Sequence, residues 1–403
     1  MLVVVGLLAI ASGALASIYR VPLIKVESEM VRMLRQKTWG AHIKRMESQG
    51  LDLLRNFPMK ENRNQPLYYD LEYVGNITVG TPDQTFQVAV DTGSADFWIV
   101  DDTCAPDYPE VCDKSVCDTG CKFRRYFNSK KSSSYTKTHG KWKFRYGNAT
   151  VEGFYGNDTM RFGNVGTSQL IVPGTIFGQA VKLHEHFVGR HIDGILGLAF
   201  SSMAEGRGEP PFERAVKLGR VKPIFTIYMK HVGRESGVYG GEITYGGLDG
   251  QHCDGSIVYH SLSLATYWQF KITTFTSGNF SAASILWVAM SDTVSSVIGA
   301  PVAIAEAVAK QFNADYNAED DKYYINCNAK PVFVFGIGNE KYTVGSTNLV
   351  IQIRENECIL ALSGYGAPYW GPNWIFGVPF IREYCNIYDV ANKRIGFAMS
   401  LRN

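Results

Sequence analysis

Two short stretches carry residue types suited to acid–base chemistry: Asp91-Thr-Gly-Ser94 and Asp292-Thr-Val-Ser295. Each follows an apolar segment, so each Asp is expected in a tight turn at the end of a buried strand. Two such turns facing each other bring two carboxylates so close that both cannot ionise, and the pair shares one proton. The ionised member can then take a proton from a bound water, while the protonated member hydrogen-bonds a carbonyl. A lone Asp-Thr-Gly is usually only a turn. The repetition is the signal.

The repetition reaches further along the chain. Ile195-Leu-Gly197 comes 104 residues after Asp91, and Ile375-Phe-Gly377 comes 83 residues after Asp292. Each half therefore offers an Asp-Thr turn followed by an apolar-apolar-Gly triplet, with a boundary expected near Tyr245-Gly-Gly-Leu-Asp-Gly250. Between clusters of Gly, Pro, Asn and Asp the residues alternate apolar and polar, as in Tyr73–Val79 and Thr85–Val90. That pattern predicts strands and hairpins. Ala303–Phe312 is one of few convincing helical stretches. With 403 residues, 40 Gly and 44 Phe plus Tyr, an all-β chain of two lobes is expected rather than a helix bundle.

Charge and cysteine usage narrow the class. A formal net charge of +2 gives no electrostatic case for nucleic acid. Met1 to Ala16 carries no charged side chain and closes on Ala14-Leu15-Ala16, which predicts a signal peptide over residues 1–16 and no membrane attachment after its removal. Residues 17–63 carry a net +5, which leaves −3 for residues 64–403. A basic leader before an acidic body suggests a propeptide held by charge, placed at residues 17–65. Lobes of residues 66–247 and 248–403 follow it. Eight cysteines in an exported chain read as disulfides, since none forms a Cys-x-x-Cys knuckle for zinc. His184-Glu-His186 with His191 has the wrong spacing for a metal motif. Four Asn-x-Ser/Thr sites, at Asn76, Asn148, Asn157 and Asn279, are compatible with a glycoprotein.

Over roughly residues 66–400 the chain resembles the pepsin-like aspartic proteases, the type case of a proton-sharing Asp pair. The resemblance is carried by Tyr73–Pro82, Val88–Ile99, Ile192–Phe200, Tyr267-Trp-Gln269 and Trp374–Phe397. It implies a bilobal all-β fold with a deep cleft between the lobes, and Asp91 and Asp292 as the catalytic pair. Ser94 would bond Asp91, Ser295 would bond Asp292, and Thr92 and Thr293 would brace the turns across the interface. Gly93, Ser94 and Ser295 would border the substrate. Tyr146-Gly147 resembles the hairpin flap, with Tyr146 paired to Trp98, and Ile195 and Tyr267 resemble cleft-lining positions. The resemblance also implies a Cys327–Cys358 bridge, leaves Cys253 and Cys385 for each other, and puts Cys104, Cys112, Cys117 and Cys121 in one enlarged loop. The implied activity is a secreted or lysosomal endopeptidase, monomeric and without cofactor or metal. It would be made as a zymogen and cut peptides or proteins at acidic pH, with its propeptide as an intramolecular inhibitor.

The chain departs from the family pattern at Val294, where the family has Gly. Three extra carbons are expected beside the carboxylates, at a position Gly holds freely. A misplacement of about 1 Å there costs on the order of a hundredfold in rate. This supports an alternative reading: a catalytically impaired relative that keeps the cleft and binds peptides or partners. Ala149 at the flap and Val378 after the second triplet are smaller departures.

Overall fold

A computed structural model describes residues 17–45, 70, 72–104, 124–146, 149–183, 187, 190, 192–365 and 372–401. Strands dominate, in two lobes built on one repeated plan. In the first lobe, strand Gln84–Asp91 ends in the Asp turn and runs parallel to Gly194–Gly197, with Asp91 opposite Gly197. Strand Phe97–Val100, just after the turn, pairs antiparallel with that same Gly194–Gly197 segment. In the second lobe, Val288–Ser291 runs parallel to Trp374–Phe376, and Ile298–Pro301 pairs antiparallel with it. The duplicated triplets are thus the strands that lock the two Asp turns.

Their glycines are required by close approach. A Cβ at Gly197 would lie 2.5–2.7 Å from the backbone of Ala95 and Asp96, and one at Gly377 would lie 2.3 Å from the carbonyl oxygens of Ser295 and Val297. Any larger residue would push the turn off its strand.

The lobes share a run of antiparallel pairings. It passes from Tyr19–Lys25 through Val238–Tyr245, Ile224–Met229, Tyr384–Asp389 and Arg394–Met399 to Val258–Ala265. The leader is therefore part of the sheet, and its strand also pairs with Tyr73–Val79. Helix Glu29–Gln36 follows, because Ser28 caps it by accepting from Val31 N at 3.0 Å and Lys37 ends it at φ 59°. Met30, Leu34, Trp39 and Ile43 of the leader are buried against Val297, Ile353, Ile359 and Ala361. Ion pairs join Arg20 to Glu242 and Asp249, Lys25 to Glu72, and Lys44 to Glu319. Charge holds the leader only in part; apolar packing and strand pairing do the rest. Residues 1–16 and 46–69 lie outside the described residues, and with them the expected signal peptide.

The helix expected at Ala303–Phe312 forms at Val302–Gln311, with Ile304, Ala305, Val308 and Ala309 on its buried face. Cys253–Cys385 and Cys327–Cys358 are disulfides, as the resemblance implied. Cys104 is buried, and Cys112, Cys117 and Cys121 lie outside the described residues. Asn279 is exposed at a hairpin turn, whereas Asn76 is half-buried within a paired strand. Among the described residues no helix is long and apolar enough to cross a membrane.

Candidate active site

The two Asp turns meet at the centre of the molecule. Thr92 N donates to Thr293 Oγ1 at 3.0 Å and Thr293 N to Thr92 Oγ1 at 3.1 Å. Each threonine hydroxyl then reaches into the opposite lobe, Thr92 to Ser291 O at 2.9 Å and Thr293 to Val90 O at 2.6 Å. All of these groups are buried, so each bond lost would leave a buried polar atom unpaired. The braces fix the lobes in one relative position. A Cβ at Gly93 would lie 3.1 Å from Asp292 Oδ1 and 3.2 Å from Asp91 Oδ1, so both carboxylates converge on one point.

The two aspartates are not equivalent. Asp91 accepts from Gly93 N at 2.8 Å on one oxygen and from Ser94 Oγ at 2.6 Å on the other. Asp292 accepts from Val294 N at 3.0 Å. Ser295, expected to serve Asp292, instead donates its hydroxyl to Val297 O at 3.1 Å. Burial raises both carboxyl pKa values well above the usual carboxylate range; the Ser94 and Gly93 donors temper the rise at Asp91, whereas the charge of Asp91 adds to it at Asp292. The richer donor set favours the charge on Asp91 and leaves Asp292 the better place for a shared proton.

Tyr267 is half-buried in the turn that joins strands Val258–Ala265 and Trp268–Lys271, with burial and the charges of Asp292 and Asp91 raising its phenol pKa. Trp98 is fully buried and meets Phe187 edge-on at 5.6 Å. Ile195 is also fully buried, in one apolar cluster with Trp98 and Val294 of the second turn. The expected flap is a hairpin of Thr136–Tyr146 and Ala149–Phe162 with Tyr146 opposite Ala149. Gly147 and the ring of Tyr146 lie outside what is described, as do His184–His186 and His191. The one group of possible metal ligands among the described residues, Glu242, Asp249 and His252, is remote in sequence from both turns.

Val294 is buried with Val74, Ala89 and Trp98, so its isopropyl group is taken up by the first lobe's apolar cluster. Its φ is not positive, so the backbone here does not demand glycine. The expected penalty is correspondingly smaller.

Three residues near the site escaped sequence reasoning. Tyr365 lies close enough to Asp292 and Tyr267 for their charges to raise its pKa beyond the effect of burial. Asp96 accepts from Glu205 N at 3.1 Å and Gly206 N at 3.0 Å, tying the loop after Phe200 to the first turn. Asp70 donates its N–H to Val294 O at 3.2 Å. Asp96 stood within a recognised stretch, but nothing in the sequence marks Asp70 or Tyr365.

Burial pushes Asp96 and Asp101 up to about 6, and it raises Asp70 and Asp193 as well as the central pair. A carboxyl whose pKa is higher folded than unfolded contributes stability in full below the unfolded value near 4, and loses it as pH climbs through the folded value. Glu72, Asp249 and Asp389 are shifted down and act oppositely, losing their contribution in stronger acid; His260, shifted down by burial, also favours higher pH. The melting temperature is thus expected to peak between about pH 4 and 6 and to fall by pH 8. Calorimetry across that range checks it, and a midpoint that climbs steadily from pH 5 to 8 would refute the balance.

Duplicated Asp turns, strand-locked and braced across two β lobes, define the aspartic protease class. The chain matches the family model for eukaryotic aspartyl protease over residues 72–400, and it belongs to that family. It is 40% identical to aspartic protease 2 of Necator americanus, over 97% of this chain and 98% of that one. It is 37% identical to aspartic protease 6 of Caenorhabditis elegans, over 98% of both, and 32% identical to renin of Canis lupus familiaris, over 83% of this chain and 80% of that one.

Proposed function

We propose that the protein is an aspartic endopeptidase made as a zymogen, exported to an acidic lysosomal or extracellular setting. The observation that carries this reading is the pair of buried carboxylates with unequal donor sets. Asp91, charged, accepts a proton from a water placed between the two carboxylates. Asp292, protonated, hydrogen-bonds the scissile carbonyl and stabilises the oxygen as negative charge develops there. The attacked amide passes through a tetrahedral intermediate, and the leaving nitrogen takes its proton back from the dyad. Substrates are extended peptides with apolar residues around the cut, and the protein acts as a monomer. The working one-proton state is lost as pH climbs through the upper of the pair's two pKa values, and burial raises that value, so turnover falls off only as neutral pH is approached. The seated leader supports the zymogen part, since its strand and helix bury apolar side chains against both lobes.

A second reading, a peptide-binding relative with an impaired dyad, is favoured by the missing hydroxyl donor on Asp292. Peptide cleavage by the acid-treated full chain from about pH 3 to 7 separates the two. Acid-dependent turnover that a hydroxyl-bearing transition-state mimic blocks establishes the protease. Binding of the mimic without turnover, after removal of the leader, establishes the second reading.

A further inference from the structure

Besides carrying Val294 in place of glycine, the second Asp turn is packed against the leader. Asp70 accepts from Ser28 Oγ at 2.6 Å and from Met30 N at 3.1 Å, both at the N-terminus of the leader helix. The same carboxylate bonds the Ser296 hydroxyl, and the Asp70 N–H holds Val294 O. Val297 is buried against Met30, Leu34, Trp39 and Ile43 of the leader. Residues 294, 296 and 297 are therefore all gripped by the leader, directly or through Asp70. Ser295 lies among them.

Ser295 donates to Val297 O, so among the described residues Asp292 is left with the Val294 N–H as its one donor. The equivalent Ser94 takes the carboxylate, at 2.6 Å, in a turn that makes no described contact with the leader. Two features set the second turn apart, Val294 in place of glycine and the grip on residues 294–297, and the grip is the one that leader release removes. The other side of the turn is backed by Gly377, where Ser295 O and Val297 O would lie 2.3 Å from a Cβ.

We propose that the seated leader holds Ser295 on Val297, and that its release lets Ser295 turn to Asp292 and complete the dyad. The change needs one side-chain rotation between staggered positions, with no movement of the lobes. Ser295 is then a positioning residue for Asp292, and Asp70 is the body residue through which the leader acts. This rests on the zymogen part of the function proposed above.

The test compares the unsubstituted chain with Ser295→Ala, each as the full chain and after cutting at a protease site inserted within residues 58–67. The upper apparent pKa of the dyad is followed by carbon NMR of labelled aspartate. Asp91 and the phenols of Tyr267, Tyr365 and Tyr388 face Asp292 in both chains, so they contribute equally to each. Leader release also rehydrates the site, lowering the pKa in both. The new donor should add a further fall of about one unit in the unsubstituted chain alone. The cut Ser295→Ala chain should also lose about ten- to a hundredfold in kcat with KM little changed. An equal pKa fall in both chains would overturn the proposal. Absence of turnover in the cut unsubstituted chain would count against the protease reading and leave the titration decisive.

Discussion

Asp292→Asn is expected to lower kcat on a peptide substrate by about a thousandfold or more while making the fold more stable at neutral pH. The activity loss follows from the shared proton. An amide can hydrogen-bond a carbonyl, but it cannot pass a proton on and take it back within one turnover. The stability gain follows from burial: as pH rises, the native pair must either hold its proton against the solvent or place two charges together. The amide removes that conflict, and its oxygen can still accept the single bond from Val294 N. Asp91→Asn should lose activity to a similar degree without the same gain. There, two donors approach two different oxygens, Gly93 N and Ser94 Oγ, and an amide offers only one acceptor. Melting curves at pH 5 and 7.5 beside single-turnover rates test both variants. Equal melting shifts for the two would show that the donor sets do not govern where the proton sits. Residual turnover within tenfold of the unsubstituted chain would discard the two-aspartate mechanism.

Much of this arrangement was legible because duplication leaves the same residues at the same structural places. An Asp turn needs a strand to lead in and a glycine-bearing strand to lock it. The sequence shows both, twice, since Gly197 and Gly377 admit no side chain. The threonine braces and the two described disulfides came with the family resemblance and stand in the structure as expected. What could not be read is what depends on side-chain direction. Ser94 and Ser295 occupy equivalent positions in their turns, yet one bonds its aspartate and the other a carbonyl. Asp70 is one of two acids in Tyr68-Tyr-Asp-Leu-Glu72, and only the folded chain sets it against the leader helix and the second turn. The charge difference between leader and body was real but incomplete as an account of docking. Net charge carries no information about the apolar face of Met30, Leu34, Trp39 and Ile43.

The equivalent positions Gly93 and Val294 give the sharpest remaining test, because equal substitutions should have unequal results. Gly93→Val is expected to cut kcat by about a hundredfold or more with the fold intact. Its Cβ alone would sit 3.1–3.3 Å from atoms of both carboxylates, tighter than ordinary contact, and two further methyl groups must go beside them. Moving either carboxylate by about 1 Å is enough for a loss of that size. Val294→Gly should do the reverse. It removes three buried carbons from the cluster containing Val74, Ala89 and Trp98, for a stability loss of roughly 2–4 kcal/mol from transfer, cavity and backbone entropy. Its effect on kcat should stay within about tenfold, since the Val294 N–H to Asp292 remains and the site is already built around the larger residue. Denaturant unfolding and steady-state rates on the two variants decide the matter. A hundredfold gain in kcat for Val294→Gly would mean that the isopropyl group obstructs the dyad after all, and the impaired-relative reading would then stand first. A Gly93→Val chain with normal turnover would instead mean that the carboxylates have room which the structure denies them.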